Sequence, residues 1–174
     1  MPRSFALSAD YEASVEQVHR VFYDEEYWHA RLADIPVDEA QVELMRIGGE
    51  SGDDGTVEVV TLQTVRSHNL HAVVKQLHGG DLSIRRSETW GPLVGGAATA
   101  KITGTILGTP VAVSGDAELA PLADSGGARL GIHVSVQVRV PIIGGKVERL
   151  IGDQLRELVS WEQKFTTEWM ANNT

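Results

Sequence analysis

The stretch from Gly145 to Met170 constrains the fold more than any other part of the chain. At 100° per residue, Val147, Ile151, Leu155, Leu158, Phe165 and Trp169 fall within one stripe, with Leu150 and Val159 at its edges. Arg149, Asp153, Arg156, Glu157, Lys164 and Glu168 fall elsewhere on the wheel. A helix of this length reaches about 40 Å at 1.5 Å per residue, enough to run the length of a sheet. One position breaks the stripe. Glu162 sits close to its centre, between Leu158, Phe165 and Trp169, where a lone ionised carboxylate is costly and has to be paired, protonated or wet.

The remainder of the chain supplies the strands. Phe5 to Tyr11 alternates apolar with small or polar residues. Ser14 then stands three residues before Gln17, a capping-box spacing, with Val15, Val18, Val21 and Phe22 at helical intervals behind it. Asp24 reads as a second N-cap, opening a short helix through Tyr27, Trp28, Arg31 and Leu32. From about residue 40 the period becomes two. Val42, Leu44 and Arg46 share one strand face, and Val57, Val59 and Thr61 follow after a glycine-rich turn. Leu70 to His78 reads as a short amphipathic helix, with Leu70, Val73, Val74 and Leu77 on one side. Strands then run from Leu82 to Trp90, through Ala98 to Ile106, through Val111 to Leu119, and through Ala128 to Val140. Gly, Pro or Asp separates each from the next, which suits hairpins and an antiparallel sheet with one dry and one wet face.

Composition removes several classes of function. The chain has 174 residues, length for one domain spanning 1–174 with a full core. Fifteen basic against twenty-four acidic side chains give a formal charge of −9, which disfavours nucleic acid and equally disfavours electrostatic docking on an anionic membrane. With no cysteine there is no disulfide scaffold, thiolate metal site or cysteine nucleophile. The N-terminus has no apolar run suited to a signal peptide, and no stretch approaches the roughly 20 apolar residues of a bilayer span, so we expect a cytoplasmic protein without stable membrane insertion.

The order strand, two short helices, antiparallel strands, long amphipathic helix resembles the helix-grip fold of the START-like (SRPBCC) superfamily, which includes Bet v 1-like proteins, polyketide cyclases and lipid-transfer domains. More closely, the chain resembles the actinobacterial family DUF2505. That likeness is carried by Met1-Pro2-Arg3-Ser4-Phe5, Ser14-Val15-Glu16-Gln17-Val18, Gly80-Asp81-Leu82, Glu88-Thr89-Trp90, Val140-Pro141 through Gly144-Gly145-Lys146, and Phe165-Thr166-Thr167-Glu168-Trp169. The resemblance implies an α+β fold, a curved antiparallel sheet of about six or seven strands wrapped around the C-terminal helix. It also implies a pocket between them that often holds a lipid, sterol or aromatic molecule. It implies no reaction.

The residues expected to line such a pocket are Arg86, Glu88, Trp90, Leu158, Glu162, Phe165 and Trp169. If Leu82, Ile84 and Trp90 face inward, strict alternation turns Arg86 and Glu88 inward too, unless a β-bulge shifts the register. Gly104 and Gly115 interrupt strands where the sheet bends or a ligand comes close. His68, His71 and His78 can share one helix face, but no nearby carboxylate completes a ligand set. We therefore expect no metal, no cofactor and no catalytic constellation. Three functions stay open: a non-catalytic carrier or sensor of a small hydrophobic ligand, a cofactor-free cyclase or aromatase in which Glu162 or Glu88 with a raised pKa moves protons, and a protein-interaction module with a filled core. Oligomeric state is not legible.

Overall fold

A computed structural model describes residues 2–77 and 79–173, and among these the side chains of all but Val73, Gln76 and Leu77. Its elements follow the order β1 (Arg3–Tyr11), α1 (Val15–Val21), α2 (Glu25–Asp34), β2 (Glu39–Ile47), β3 (Val57–Val65), α3 (Ala72–Leu77), β4 (Leu82–Trp90), β5 (Ala98–Ile106), β6 (Val111–Pro121), β7 (Ala128–Val138) and α4 (Gly144–Asn172). The strands form one antiparallel sheet in the order β1-β7-β6-β5-β4-β3-β2, seven strands in all. Every consecutive pair from β2 to β7 is an antiparallel neighbour pair. Strand β1 joins the far edge against β7, because α1 and α2 carry the chain across to start the meander at the opposite edge.

Local chemistry sets the helix starts. At α1 the capping box is complete: Ser14 Oγ accepts from the Gln17 amide at 3.2 Å, and Gln17 Oε1 accepts from the Ser14 amide at 2.8 Å. Asp24 accepts from the Glu26 amide at 2.9 Å and opens α2. Helix α4 has no side-chain N-cap. Glu148 instead reaches back from its first turns, buried, to accept from the Val138 amide at 3.0 Å, which pins the helix to the end of β7. Among the described residues no helix is long and apolar enough to cross a membrane.

Three expectations need correction. Strand β2 carries a bulge between Val42 and Leu44, so Met45 joins Val42 on the core side, while Leu44 faces solvent at 44% exposure. The helix expected over Leu70–His78 is the shorter α3, Ala72–Leu77, and a separate 3-10 turn at Ser67–Asn69 precedes it. Asp81 accepts from the Ser67 amide and Asp38 from the Asn69 amide nitrogen, both at 2.9 Å, and these bonds hold the turn outside the helix. Of the side chains expected on that helix, those of Val73 and Leu77 and the whole of His78 lie outside the described residues; His68 and His71 are exposed. Finally, the face that α4 buries most deeply runs through Val147, Glu148, Gly152, Glu162 and Thr166, rotated from the expected apolar stripe. Gly152 explains part of that rotation. A Cβ there would lie 2.2 Å from the Phe5 ring of β1, so the missing side chain is what lets α4 close onto the sheet edge.

Candidate functional site

The register of β3, β4 and β5 is regular through the centre of the sheet, with Thr61 opposite Arg86, Val59 opposite Glu88 and Val57 opposite Trp90. On the other flank Gly104 stands opposite Arg86, Ile102 opposite Glu88 and Ala100 opposite Trp90. Without a bulge in β4, alternation carries Arg86 and Glu88 onto the same concave face as Trp90. Two charged side chains thus enter the core because the strand period leaves them no other face.

They do not enter alone. Helix α2 turns Tyr27, Trp28, Arg31 and Leu32 inward, and α4 brings Glu162 and Thr166. Arg31 donates to Glu162 Oε2 and, at 3.2 Å, to the Tyr27 hydroxyl. Arg86 donates to Glu162 Oε1 at 2.9 Å and to Glu88 Oε2 at 3.0 Å. Glu88 Oε1 accepts from the Trp90 indole at 2.6 Å, and the Tyr27 and Thr166 hydroxyls are 2.6 Å apart. Two guanidiniums and two carboxylates are therefore joined in one chain of contacts whose formal charge is zero. The Arg31 guanidinium also lies over the Trp28 ring, 4.6 Å from its centroid, a cation–π contact.

Burial alone pushes the Glu162 carboxyl upward, but the guanidiniums of Arg31 and Arg86 outweigh it and hold its pKa below the ordinary value. Glu162 is an ionised acceptor, and this corrects the expectation that it could serve as a raised-pKa proton donor. Burial acts against Arg31 as well, and Glu162 with Tyr27 more than restores its charged form. Tyr11, buried beside the cluster, has its hydroxyl pushed far up by desolvation and stays neutral.

Against this cluster lies a cavity with about 20 Å³ of room for water centres. Its lining brings apolar Ala9, Phe22, Trp90, Ile102, Ala117 and Ile132 together with the charged Arg31, Arg86, Glu88 and Glu162. A second void of about 10 Å³ shares Arg31, Arg86 and Glu88 with it and is lined besides by Trp28 and Leu32 of α2 and Val59, Thr61 and Gln63 of β3. Each is room for a water molecule. The Thr61 hydroxyl is buried there without a hydrogen-bond partner.

Of the seven residues expected to line a pocket, Arg86, Glu88, Trp90 and Glu162 border the central cavity. From α4 the wall takes Val159 and Glu162, while Leu158, Phe165 and Trp169 stand beside it, half-buried. Phe165 and Trp169 pack on Tyr27, with ring centroids 6.0 and 5.9 Å away, and fix the outer edge of α2 instead. Trp90 is buried and stacked on Phe22 at 4.9 Å. Arg31 was missed by sequence reasoning, although its spacing from Tyr27 and Trp28 put it on the inward face of α2. Gly115 is explained by the sheet: a Cβ there would come within 2.2 Å of the His133 carbonyl oxygen. Among the described residues no group of His, Asp and Glu is placed to hold a metal ion.

The profile of DUF2505, a family described as proteins of unknown function, matches residues 6–170. The chain belongs to that family. It is 62% identical over 173 residues to the uncharacterized protein Rv0481c of Mycobacterium tuberculosis, covering 99% of both chains. Among solved structures it is similar to norcoclaurine synthase from Thalictrum flavum, with a TM-score of 0.57 at 10% identity over 98% of this chain and 87% of that one. It is also similar to a START superfamily protein from Mycobacterium smegmatis, with a TM-score of 0.52 at 12% identity over 98% and 99%. At such identities the likeness is one of fold, and the fold is the helix grip of the START-like and Bet v 1-like proteins.

Proposed function

We propose that this protein binds a small, mainly apolar molecule between the sheet and α4, without chemical conversion, and that the molecule's polar end is neutral. The observation that carries this reading is a cavity lined both by apolar side chains and by a charge-balanced ionic cluster. An apolar body would replace water against Trp90, Ile102 and Ala117. A hydroxyl or carbonyl could share the Arg86–Glu162 bonds without upsetting the charge count. An ionised carboxylate would add a third negative charge to a buried site that already matches two with two, which is costly. The likeness to a START superfamily protein supports a binding role at the level of fold; norcoclaurine synthase, at 10% identity, carries no reaction across.

Uptake requires the site to open, because its present room is that of a water molecule. Helix α2 is the element suited to move. It contributes Arg31 to the lining of both voids, packs on β2 and α4, and is latched at Arg31 to Glu162. The same small volume favours a second reading, in which the core is filled and the outer surface does the work. Native mass spectrometry of freshly purified protein separates the two. A co-purified mass of a few hundred daltons, released on unfolding, is expected from the binding reading. Protein of bare chain mass that stays bare after incubation with apolar alcohols, sterols and flat polycycles would favour the filled core.

A further inference from the structure

At the end of the molecule where β7 hands over to α4, one side chain stands apart. Ile142 is exposed at 101% and has φ +73°, the left-handed region; among the described residues no other non-glycine residue has a positive φ. A β-branched side chain is strongly disfavoured there, and nothing in the fold rewards it with packing. Pro141 beside it is exposed and Ile143 half-buried, so the tip of the turn is apolar.

The collar around this tip is basic. Arg139, Lys146 and Arg149 are all exposed, and among the described residues none is in an ion pair; the Arg139 side chain reaches only Gln137, at 3.4 Å. Arg3, at the start of β1, adds a fourth cation beside Gly145. Within residues 2–5, 106–112 and 136–150 the only acid is Glu148, which is buried and spent on the Val138 amide, while Asp38, Glu39 and Asp81, farther along this end of the sheet, are engaged by Arg66 and by the loop residues Ser67 and Asn69. Four cations against one sequestered acid is a marked local excess in a chain of formal charge −9. The acidic remainder would keep the body away from an anionic surface and turn this end towards it.

We infer that this end is a docking tip for an anionic phospholipid surface, with Ile142 inserted at the level of the acyl boundary and Arg139, Lys146 and Arg149 at the phosphates. The size of the patch favours a bilayer over a protein partner. One isoleucine with two apolar neighbours falls well short of the roughly 800 Å² per partner of a stable protein interface. An apolar point flanked along the chain by exposed cations is, however, the pattern that suits the headgroup layer, where long basic side chains reach the phosphates while an apolar group goes deeper. Binding at such a tip is reversible and falls with salt. This inference does not depend on what the core binds.

The absence of cysteine gives a clean test. Ile142→Cys, labelled with a polarity-sensitive dye, reports on the tip; Ala123→Cys, exposed in the β6–β7 turn at the other end, serves as control. Vesicles of phosphatidylcholine alone are compared with vesicles holding about 30 mol% phosphatidylglycerol, at about 50 and about 300 mM salt. The expected result is a blue shift at position 142 only, with anionic vesicles only, largely lost at the higher salt. In co-sedimentation of unlabelled protein, the triple variant Arg139→Gln, Lys146→Gln, Arg149→Gln should lose roughly tenfold or more in partitioning. Ile142→Gly, which relieves the backbone and so folds at least as well, should lose severalfold. No pelleting of the unlabelled wild type with anionic vesicles at low salt, equal shifts at 142 and 123, or undiminished binding by the triple variant would each overturn the inference. The first of these would turn the search to an acidic protein partner.

Discussion

Arg31 of α2 and Glu162 of α4, 131 residues apart in sequence, meet in a buried ion pair. Neither could be buried alone. Arg86 from β4 shares the same carboxylate, so the pair ties both helices to the centre of the sheet. Taking away one member leaves the others charged in a dry place. Glu162→Leu is therefore expected to destabilise the fold by about 3–5 kcal/mol. Arg31→Met with Glu162→Leu, which leaves Arg86 paired to Glu88, is expected to fall within about 1 kcal/mol of wild type or to exceed it by about 1–4 kcal/mol. Urea unfolding of the two variants measures both; a single variant as stable as the double would refute the coupling.

The same carboxylate sets an acid limit. Glu162 has its pKa depressed in the fold, so the stability it contributes is complete above the unfolded-chain value, near 4.5, and is lost as pH falls through the lower folded value. The stability difference between wild type and Glu162→Gln should thus be constant from neutral pH down to about 5 and shrink below that. A difference that grew as pH fell would mean that Glu162 is protonated in the fold and that the ionic cluster is wrongly described.

Two glycines, Gly152 of α4 and Gly104 of β5, are expected to respond differently to alanine. Gly152→Ala adds helix propensity, ordinarily worth about 1 kcal/mol, but its Cβ would sit 2.2 Å from the Phe5 ring, so the net effect is expected to be a loss of about 1–3 kcal/mol. At Gly104 the nearest atoms to an added Cβ are Val113 Cβ at 3.6 Å and the Arg85 carbonyl oxygen at 3.9 Å, ordinary contacts. Gly104→Ala should stay within about 1 kcal/mol of wild type. Thermal unfolding compares them directly.

Much of this architecture could be read from the chain, and the failures have physical causes. The strands, the capped entry to α1 and the reach of α4 are set by short-range periodicity, which a sequence displays openly. The oddity of Glu162 and the inward turn of Arg86 and Glu88 were legible for the same reason. Arg31 was not, because a cation on the inward face of a short helix stays buried only if a carboxylate awaits it, and that carboxylate lies on another element. The β2 bulge at Glu43 follows from pairing with β3, and local alternation does not encode it. The rotation of α4 depends on Gly152 meeting Phe5, a contact between opposite ends of the chain. Cavity volume is a residue of all these packings together, so a sequence that correctly suggests a grip still leaves open how much room the grip encloses.

The proposal of a neutral-headed ligand is tested most directly at Trp90, whose indole borders the cavity and donates to Glu88. A long-chain alcohol and the carboxylic acid of equal chain length are titrated into wild type and Trp90→Phe at neutral pH, and indole emission is followed; the difference between the two proteins isolates Trp90 from the other three tryptophans. The expected result is a saturable change in the Trp90 component with the alcohol, and binding of the acid weaker by about tenfold or more, the scale of one unbalanced buried charge. Tighter binding of the acid would contradict the neutral polar end, and a Trp90 signal indifferent to both ligands would contradict binding in the cavity altogether.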